Sequence, residues 1–274
     1  MIAALRSEYR KFFSTRMWWV MLAIGFGYVG LVAALIALMI HIGTSQSGVG
    51  FSAGDMLDVT KFIYSLGPSL GYLFPLLIGA MSVTGEFRHQ TITPTFLAEP
   101  RRWLIMIAKL IGCLPLGVLY GVVTTAACVL LGGGTLALFG FDTGLGASST
   151  WETLGRCVLS LTIWTLVGIG LGVLLKNQVA AIVVVLAFTQ LVEPMLRVVP
   201  LMAGRSFGFI SYLPGAAGEA IAGGGTIYSM MSTDNNPLHL SKLLSLPMGI
   251  TVLVAYGVLF SVIGYFTTLR RDIT

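Results

Sequence analysis

Few residues in this chain are of types that do chemistry, and their spacing narrows what chemistry is possible. Gly67-Pro68-Ser69-Leu70-Gly71 matches the G-x-S-x-G pattern that presents a nucleophilic serine. His41 and the carboxylates Asp55 and Asp58 are the nearest partners from which a hydrolytic triad could be assembled. That pattern works on a strand–turn–helix elbow, whereas here it interrupts an apolar run. Pro68 is more simply read as a helix kink whose freed backbone Ser69 helps to satisfy. His41, His89 and His239 are far apart, there is no H-E-x-x-H, and no metal site is expected. Cys113, Cys128 and Cys157 stand in or beside apolar runs without metal or redox spacing and read as packing residues. No G-x-x-x-x-G-K-[ST] loop is present to cradle nucleotide phosphates, so this chain is not expected to hydrolyse ATP or to act as an enzyme.

Glu193 and Arg197 lie four residues apart near one end of an apolar stretch. An ionisable residue at membrane depth is a functional candidate by default. The i,i+4 spacing offers a structural answer, mutual pairing, and pairing is preferred here over an ion or proton relay. The densest polar segment is the run from Gly85 to Arg102, with Glu86, Arg88, Glu99, Arg101 and Arg102 as its charges and Phe87, Ile92, Phe96 and Leu97 as its apolar contacts. Thr93 can cap a short turn beginning at Pro94, and Pro100 ends it. A short amphipathic element of this kind suits docking to a soluble partner, and equally an interfacial loop that only sets topology.

The elements that must position these residues follow from composition. Hydrophobic residues make up 56% of 274, charged residues 10%, and the mean hydropathy is +0.90. A soluble domain carries roughly 25% charged residues, so one bilayer-embedded body spanning 1–274 is expected. Six runs are long and apolar enough to cross a bilayer: about Met17–Ile42, Phe62–Val83, Trp103–Leu131, Leu154–Leu175, Val179–Val199 and Leu246–Thr268. They are continuously apolar, which favours an all-α polytopic fold over a barrel. The first run is too long for a signal-peptide core and reads as a retained span.

Lys and Arg set the orientation. With both termini cytoplasmic, Arg6, Arg10, Lys11, Arg16, Arg88, Arg101, Arg102, Lys109, Lys176, Arg270 and Arg271 fall inside, against only Lys61, Arg156, Arg197, Arg205 and Lys242 outside. The net charge of +5 is thus a topology signal and not a nucleic-acid footprint. Residues 1–16 alternate Ile2, Leu5, Tyr9, Phe12 and Phe13 with Arg6, Ser7, Arg10 and Lys11 at helical spacing, which reads as an interfacial helix, or else as a charged flank. The segment 201–245, broken by Pro214, Pro237 and Gly223-Gly224-Gly225, reads as a re-entrant or interfacial helix pair, or else as an ordinary loop. Gly117 with Gly121, and Gly168 with Gly172, have the four-residue spacing that lets helix backbones approach closely in lipid.

Leu5-x2-Glu8-x2-Lys11-x4-Arg16 before the first span, then Gly85-Glu86-Phe87-Arg88, Thr91-Ile92-Thr93, Pro100-Arg101-Arg102 and Lys109, resemble the membrane subunits of type-2 ATP-binding-cassette exporters, the ABC-2-type permeases. The resemblance runs along the chain in order: elbow helix 1–16, six spans, a long first cytoplasmic loop, and a long outer segment before the last span. It implies a permease in the bacterial cytoplasmic membrane, exporting an amphiphilic or hydrophobic cargo such as a drug, antibiotic, peptide or lipid. A second permease chain and a separate ATPase subunit would complete the assembly, with ATP and Mg held by that subunit and no cofactor on this chain. The loop 85–102 would be its coupling helix. Glu86, Arg88, Thr91 and Glu99 would then be polar docking contacts, and Phe87 and Phe96 packing contacts. Arg101 and Arg102 would serve either docking or the membrane interface. The resemblance also makes Phe74 and Gln190 weak candidates for the substrate path. Pro94 interrupts a helix that the family keeps continuous. A secondary transporter or channel is the main alternative, and an intramembrane serine hydrolase on Ser69 and His41 a remote one.

Overall fold

A computed structural model describes residues 16–47, 52–91, 102–203, 208–223 and 244–269. The elbow at 1–15, loop residues 92–101 and residues 224–243 lie outside the described residues, so the expected elbow helix and most of the expected coupling element are not among them. Among the described residues the structure is helical with no strand, and six helices are long and apolar enough to cross a membrane. They are Met17–Gln46, Gly54–Arg88, Trp103–Leu138, Ser148–Leu174, Gln178–Val199 and Leu246–Thr267, here called the first to sixth spans. Consecutive spans run antiparallel. The end of the bundle that carries the 88–102 connection is called the near end, and the opposite one the far end.

The fourth span is the axis of the fold. The second, third and sixth spans pack on it, while the first, fifth and sixth keep most of their side chains on the outside. In lipid, helices gain nothing from hiding apolar surface from one another, so association rests on close packing. The four-spaced glycines supply it. A Cβ at Gly168 would overlap the Leu76 carbonyl oxygen, and one at Gly172 the Ala80 carbonyl oxygen, both on the second span. Gly117 and Gly121 of the third span abut the backbone of Thr162 and Val158, where a Cβ would lie 3.0 and 2.9 Å from backbone atoms.

Local sequence sets where these helices start, bend and stop. Ser52 and Asp55 form a capping box that begins the second span, the Asp55 N–H donating to Ser52 Oγ and the Ser52 N–H to Asp55 Oδ2, each at 3.2 Å. Pro68 lacks an N–H and cannot continue the ladder. The span breaks two residues later and resumes as Leu73–Arg88. It ends in a Schellman motif: the Thr91 N–H donates to the Glu86 carbonyl at 3.0 Å and the Gln90 N–H to the Phe87 carbonyl at 3.3 Å. Gln90 takes the left-handed position, φ 54°, that glycine normally fills. Helical turns widen to π geometry at Cys128–Gly133, Phe188–Val192 and Tyr265–Leu269.

Beyond the fifth span the chain makes a short turn, Gly208–Tyr212, and then the helix Pro214–Ala222, all nine residues of which are buried. Pro214 opens that helix at its first position, and Gly223 closes it at φ 76°. Nine residues rise only about 13 Å, too little to cross a bilayer. The helix lies against the fourth and sixth spans and the first half of the second.

If backbone proximity at the second–fourth crossing holds the bundle together, Gly168→Ala should lower stability by about 1–3 kcal/mol, the usual penalty for overpacking. Gly155→Ala on the same span, where a Cβ meets nothing within 4 Å, should be neutral or slightly stabilising. Thermal unfolding of the two variants in detergent compares them directly.

Candidate functional site: two buried ionic clusters

Two ionic clusters occupy the ends of the bundle. At the near end, Lys109 of the third span places its Nζ 3.1 Å from Glu86 Oε1, and both side chains are almost wholly buried. Lys109 Nζ also donates to the Ser82 carbonyl at 3.2 Å, and Cys113 Sγ approaches Ser82 Oγ at 3.8 Å. The last two turns of the second span are thereby fastened to the third. Two residues beyond Glu86, Arg88 Nη1 donates to Gln178 Oε1 at 3.2 Å, which fastens the same turn to the start of the fifth span. That start is itself fixed: the Asn177 side chain accepts from Val179 N–H at 2.9 Å and Ala180 N–H at 3.3 Å. Phe87 packs among Val83, Cys113, Leu116, Ile169 and Val173.

The structure places Glu86 in the interior, Phe87 half-buried and Arg88 exposed. Glu86 points into the bundle because its charge is met there by Lys109. Phe87 is partly buried in the core, and Arg88 is engaged with Gln178. Thr91 is exposed and turns its Oγ1 toward the Glu86 carbonyl. Phe96, Glu99 and Arg101 lie outside the described residues. Arg102 opens the third-span helix, and its side chain is also outside the description. The two path candidates are not brought together. Phe74 is buried with Ile78 and Tyr120 against Gly25, whereas Gln190 is exposed on the fifth span, its Nε2 donating to Thr189 Oγ1 at 3.4 Å.

At the far end, Arg197 Nη2 donates to Glu193 Oε1 at 2.7 Å, the i,i+4 pair read from the sequence. Arg197 Nη1 donates to a second carboxylate, Glu219 Oε1, also at 2.7 Å. Glu219 belongs to the buried helix Pro214–Ala222. The first turn of that helix faces Glu193, with the Ala216 N–H donating to Glu193 Oε1 at 3.2 Å. This is a favourable place for a negative charge, since helix N-termini carry partial positive charge. Gly215 makes room for it, because a Cβ there would overlap Glu193 Oε1 and Arg197 Nη2. The surroundings are close-packed. Ser160 Oγ donates to the Gly218 carbonyl at 2.8 Å, Tyr72 and Trp164 meet with ring centroids 4.4 Å apart, and the Tyr72 hydroxyl donates to the Thr189 carbonyl at 3.3 Å.

Ser69 and His41 serve separate environments. His41 stacks on Phe139 at 3.9 Å, with Phe141 at its edge, while Ser69 donates to the Ser65 carbonyl at 3.3 Å and lies beside Glu219. None of the described hydrogen bonds joins Ser69 to His41.

Sequence reasoning missed two of the far-reaching contacts. Lys109 was assigned to the membrane flank, and its partner Glu86 to the loop. The available signal was that both interrupt apolar helices at a similar depth with opposite charge. Glu219 stands alone in the small-residue run Gly215-Ala216-Ala217-Gly218-Glu219-Ala220, and a single carboxylate in such a run is itself a sign of burial. No protein-family model matches this chain, and no curated protein matches it.

Breaking a buried ion pair by removing one partner leaves an uncompensated charge and typically costs about 3–5 kcal/mol, whereas replacing both partners is far milder. Lys109→Met should therefore be strongly destabilising, and the double variant Glu86→Met with Lys109→Met should recover most of the loss. A double-mutant cycle of unfolding free energies in mixed micelles measures this. Additive losses would show that the pair carries no coupling.

Proposed function

We propose that this chain is the permease subunit of an ATP-driven exporter, forming with a second permease chain a path for an amphiphilic or hydrophobic cargo. A separate ATPase subunit would dock on the near end. The observation that carries this reading is the fastening of the second span at the root of the 85–102 loop. Glu86 is joined to Lys109 of the third span and Arg88 to Gln178 at the start of the fifth. A push on that loop would therefore enter three spans at once, as a coupling element requires. The residues offered to a partner shift accordingly: Thr91, Phe96, Glu99, Arg101 and Arg102 are assigned to docking, and Glu86 and Arg88 to transmission behind them. In this orientation the near end is cytoplasmic, residues 1–16 form an elbow on the inner leaflet, and Pro214–Ala222 belongs to a segment re-entering from the outer face.

The second reading is a carrier that works without an ATPase. What favours it is the Glu193–Arg197–Glu219 cluster, since ionisable groups at membrane depth are where coupling ions bind. Purification of the tagged chain from its native membrane separates the two. The permease reading expects a stoichiometric P-loop ATPase to co-purify and to hydrolyse Mg-ATP. Phe96→Ala with Glu99→Ala should reduce its recovery several-fold, while the milder double variant Glu86→Met with Lys109→Met should leave it bound with transport uncoupled. A chain that purifies alone and inert to ATP under conditions that preserve membrane complexes would favour the carrier.

A further inference from the structure

The far-end cluster has one charge too many. Two carboxylates share one guanidinium, and none of the three side chains has more than slight access to solvent: Glu193 is 1%, Glu219 6% and Arg197 16% exposed. If both acids were ionised, a net negative charge would be closed inside the protein, where burying an uncompensated ion is strongly unfavourable. Among the described residues, no other cation is paired with either carboxylate. The fifth span contributes only Glu193 and Arg197. The second contributes Ser69 and Tyr72, and the fourth Ser160 and Trp164. The sixth contributes Tyr256, whose hydroxyl donates to the Tyr212 carbonyl at 3.2 Å. Arg156, also described, lies by Gly223 at the far end of the short helix and is paired with Glu152 on the exposed side of the fourth span.

The remaining positive charge is of a kind that needs no cavity. Glu193 Oε2 is buried without a hydrogen-bond partner among the described residues, and the Tyr72 hydroxyl approaches the same carboxylate. Glu193 Oε1 is already served by both Arg197 and the Ala216 N–H. Glu219 has a different neighbour, the hydroxyl of Ser69. Ser69 spends its own proton on the Ser65 carbonyl, so little of it is offered to an ionised Glu219.

We propose that Glu219 is held as a neutral carboxylic acid, leaving Glu193 and Arg197 as a balanced ion pair. The far-end cluster is then a resident proton-binding site. Desolvation acts in the same direction: burial pushes the Glu219 carboxyl above the usual carboxylate range, with the Arg197 guanidinium opposing it. The inference is independent of what the protein transports and of whether an ATPase drives it.

The sign of the pH dependence follows from linkage. A native state that holds one proton which the unfolded chain has released loses stability as pH rises. The folding equilibrium constant falls about tenfold per pH unit between the unfolded and folded titration points of that carboxyl. Glu219→Gln copies the neutral acid and should remove this component without lowering the unfolding midpoint at neutral pH. The test is infrared spectroscopy of the full chain in an ester-free detergent, together with unfolding midpoints across pH. A carboxylic C=O band at neutral pH is expected in the wild type, absent in Glu219→Gln and retained in Glu152→Gln. The wild-type midpoint should fall relative to Glu219→Gln as pH rises. Absence of the band overturns the proposal, as does a Glu219→Gln midpoint lowered at neutral pH as by a lost ion pair. If the band is absent and the wild-type midpoint rises with sodium or potassium at fixed ionic strength, the missing charge is a metal cation and the proton assignment is wrong.

Discussion

The rest of this structure depends on how closely the second and fourth spans approach each other. With no hydrophobic gain available from hiding one apolar helix behind another in lipid, contact must come from backbone proximity. Gly79, Gly168 and Gly172 allow it by leaving no Cβ between the two helices. Once these spans are locked at this distance, the third and sixth find the remaining faces of the fourth, again through small residues: Gly117 and Gly121 on one side, and Gly170 against Gly257 and Ser261 on the other. The first and fifth spans are left at the periphery with broad apolar faces.

Among the described residues, the buried ion pairs stand at the two ends of that close-packed centre. Both clusters obey the same rule, that ionisable groups inside a membrane body face inward and find partners, but they do so differently. At the near end the partners balance, Glu86 against Lys109, with the Ser82 carbonyl filling a further donor of the lysine. At the far end they do not, two carboxylates meeting one arginine. A balanced pair serves as a fastener whose removal is costly. An unbalanced one has a charge state left to be set by its surroundings.

The sequence was legible where a rule acts along the chain. The six apolar runs, the four-spaced glycines, the Glu193–Arg197 pair and the Pro68 break are each encoded within a few residues of one another, and the structure shows them. The span edges were less legible. The second begins eight residues earlier than its apolar run, at Gly54 instead of Phe62, because the capping box at Ser52 and the cover of neighbouring spans carry the helix through Asp55, Asp58 and Lys61. Illegible from spacing were contacts between residues far apart in sequence. Glu86 with Lys109, Arg88 with Gln178, and Arg197 with Glu219 each join different elements. Local pattern pointed Glu86 and Arg88 outward because they open a polar run. Tertiary structure turned Glu86 inward because Lys109 stands at the same depth on the adjacent span.

The second span is the element common to both clusters. Its later half carries Glu86 and Arg88 at the near end, while Ser69 and Tyr72 stand at its break beside the far cluster. The break itself is tightly held. The Gly71 N–H donates to the Gly67 carbonyl at 2.7 Å, and a Cβ at Gly71 would come within 2.9 Å of both Thr124 and Val29. Pro68 removes one rung of the ladder immediately before it. A helix with a missing rung is most readily reoriented at that point. The geometry thus puts the interrupted stretch of the second span next to the cluster in which two carboxylates meet one arginine, and the Glu86 and Arg88 fasteners at the opposite end of the same span. Any movement imposed at the near end has to be carried by the rigid half Leu73–Arg88, and the place where it can be absorbed is the turn at Gly71 and Tyr72, against the helix that Glu219 anchors.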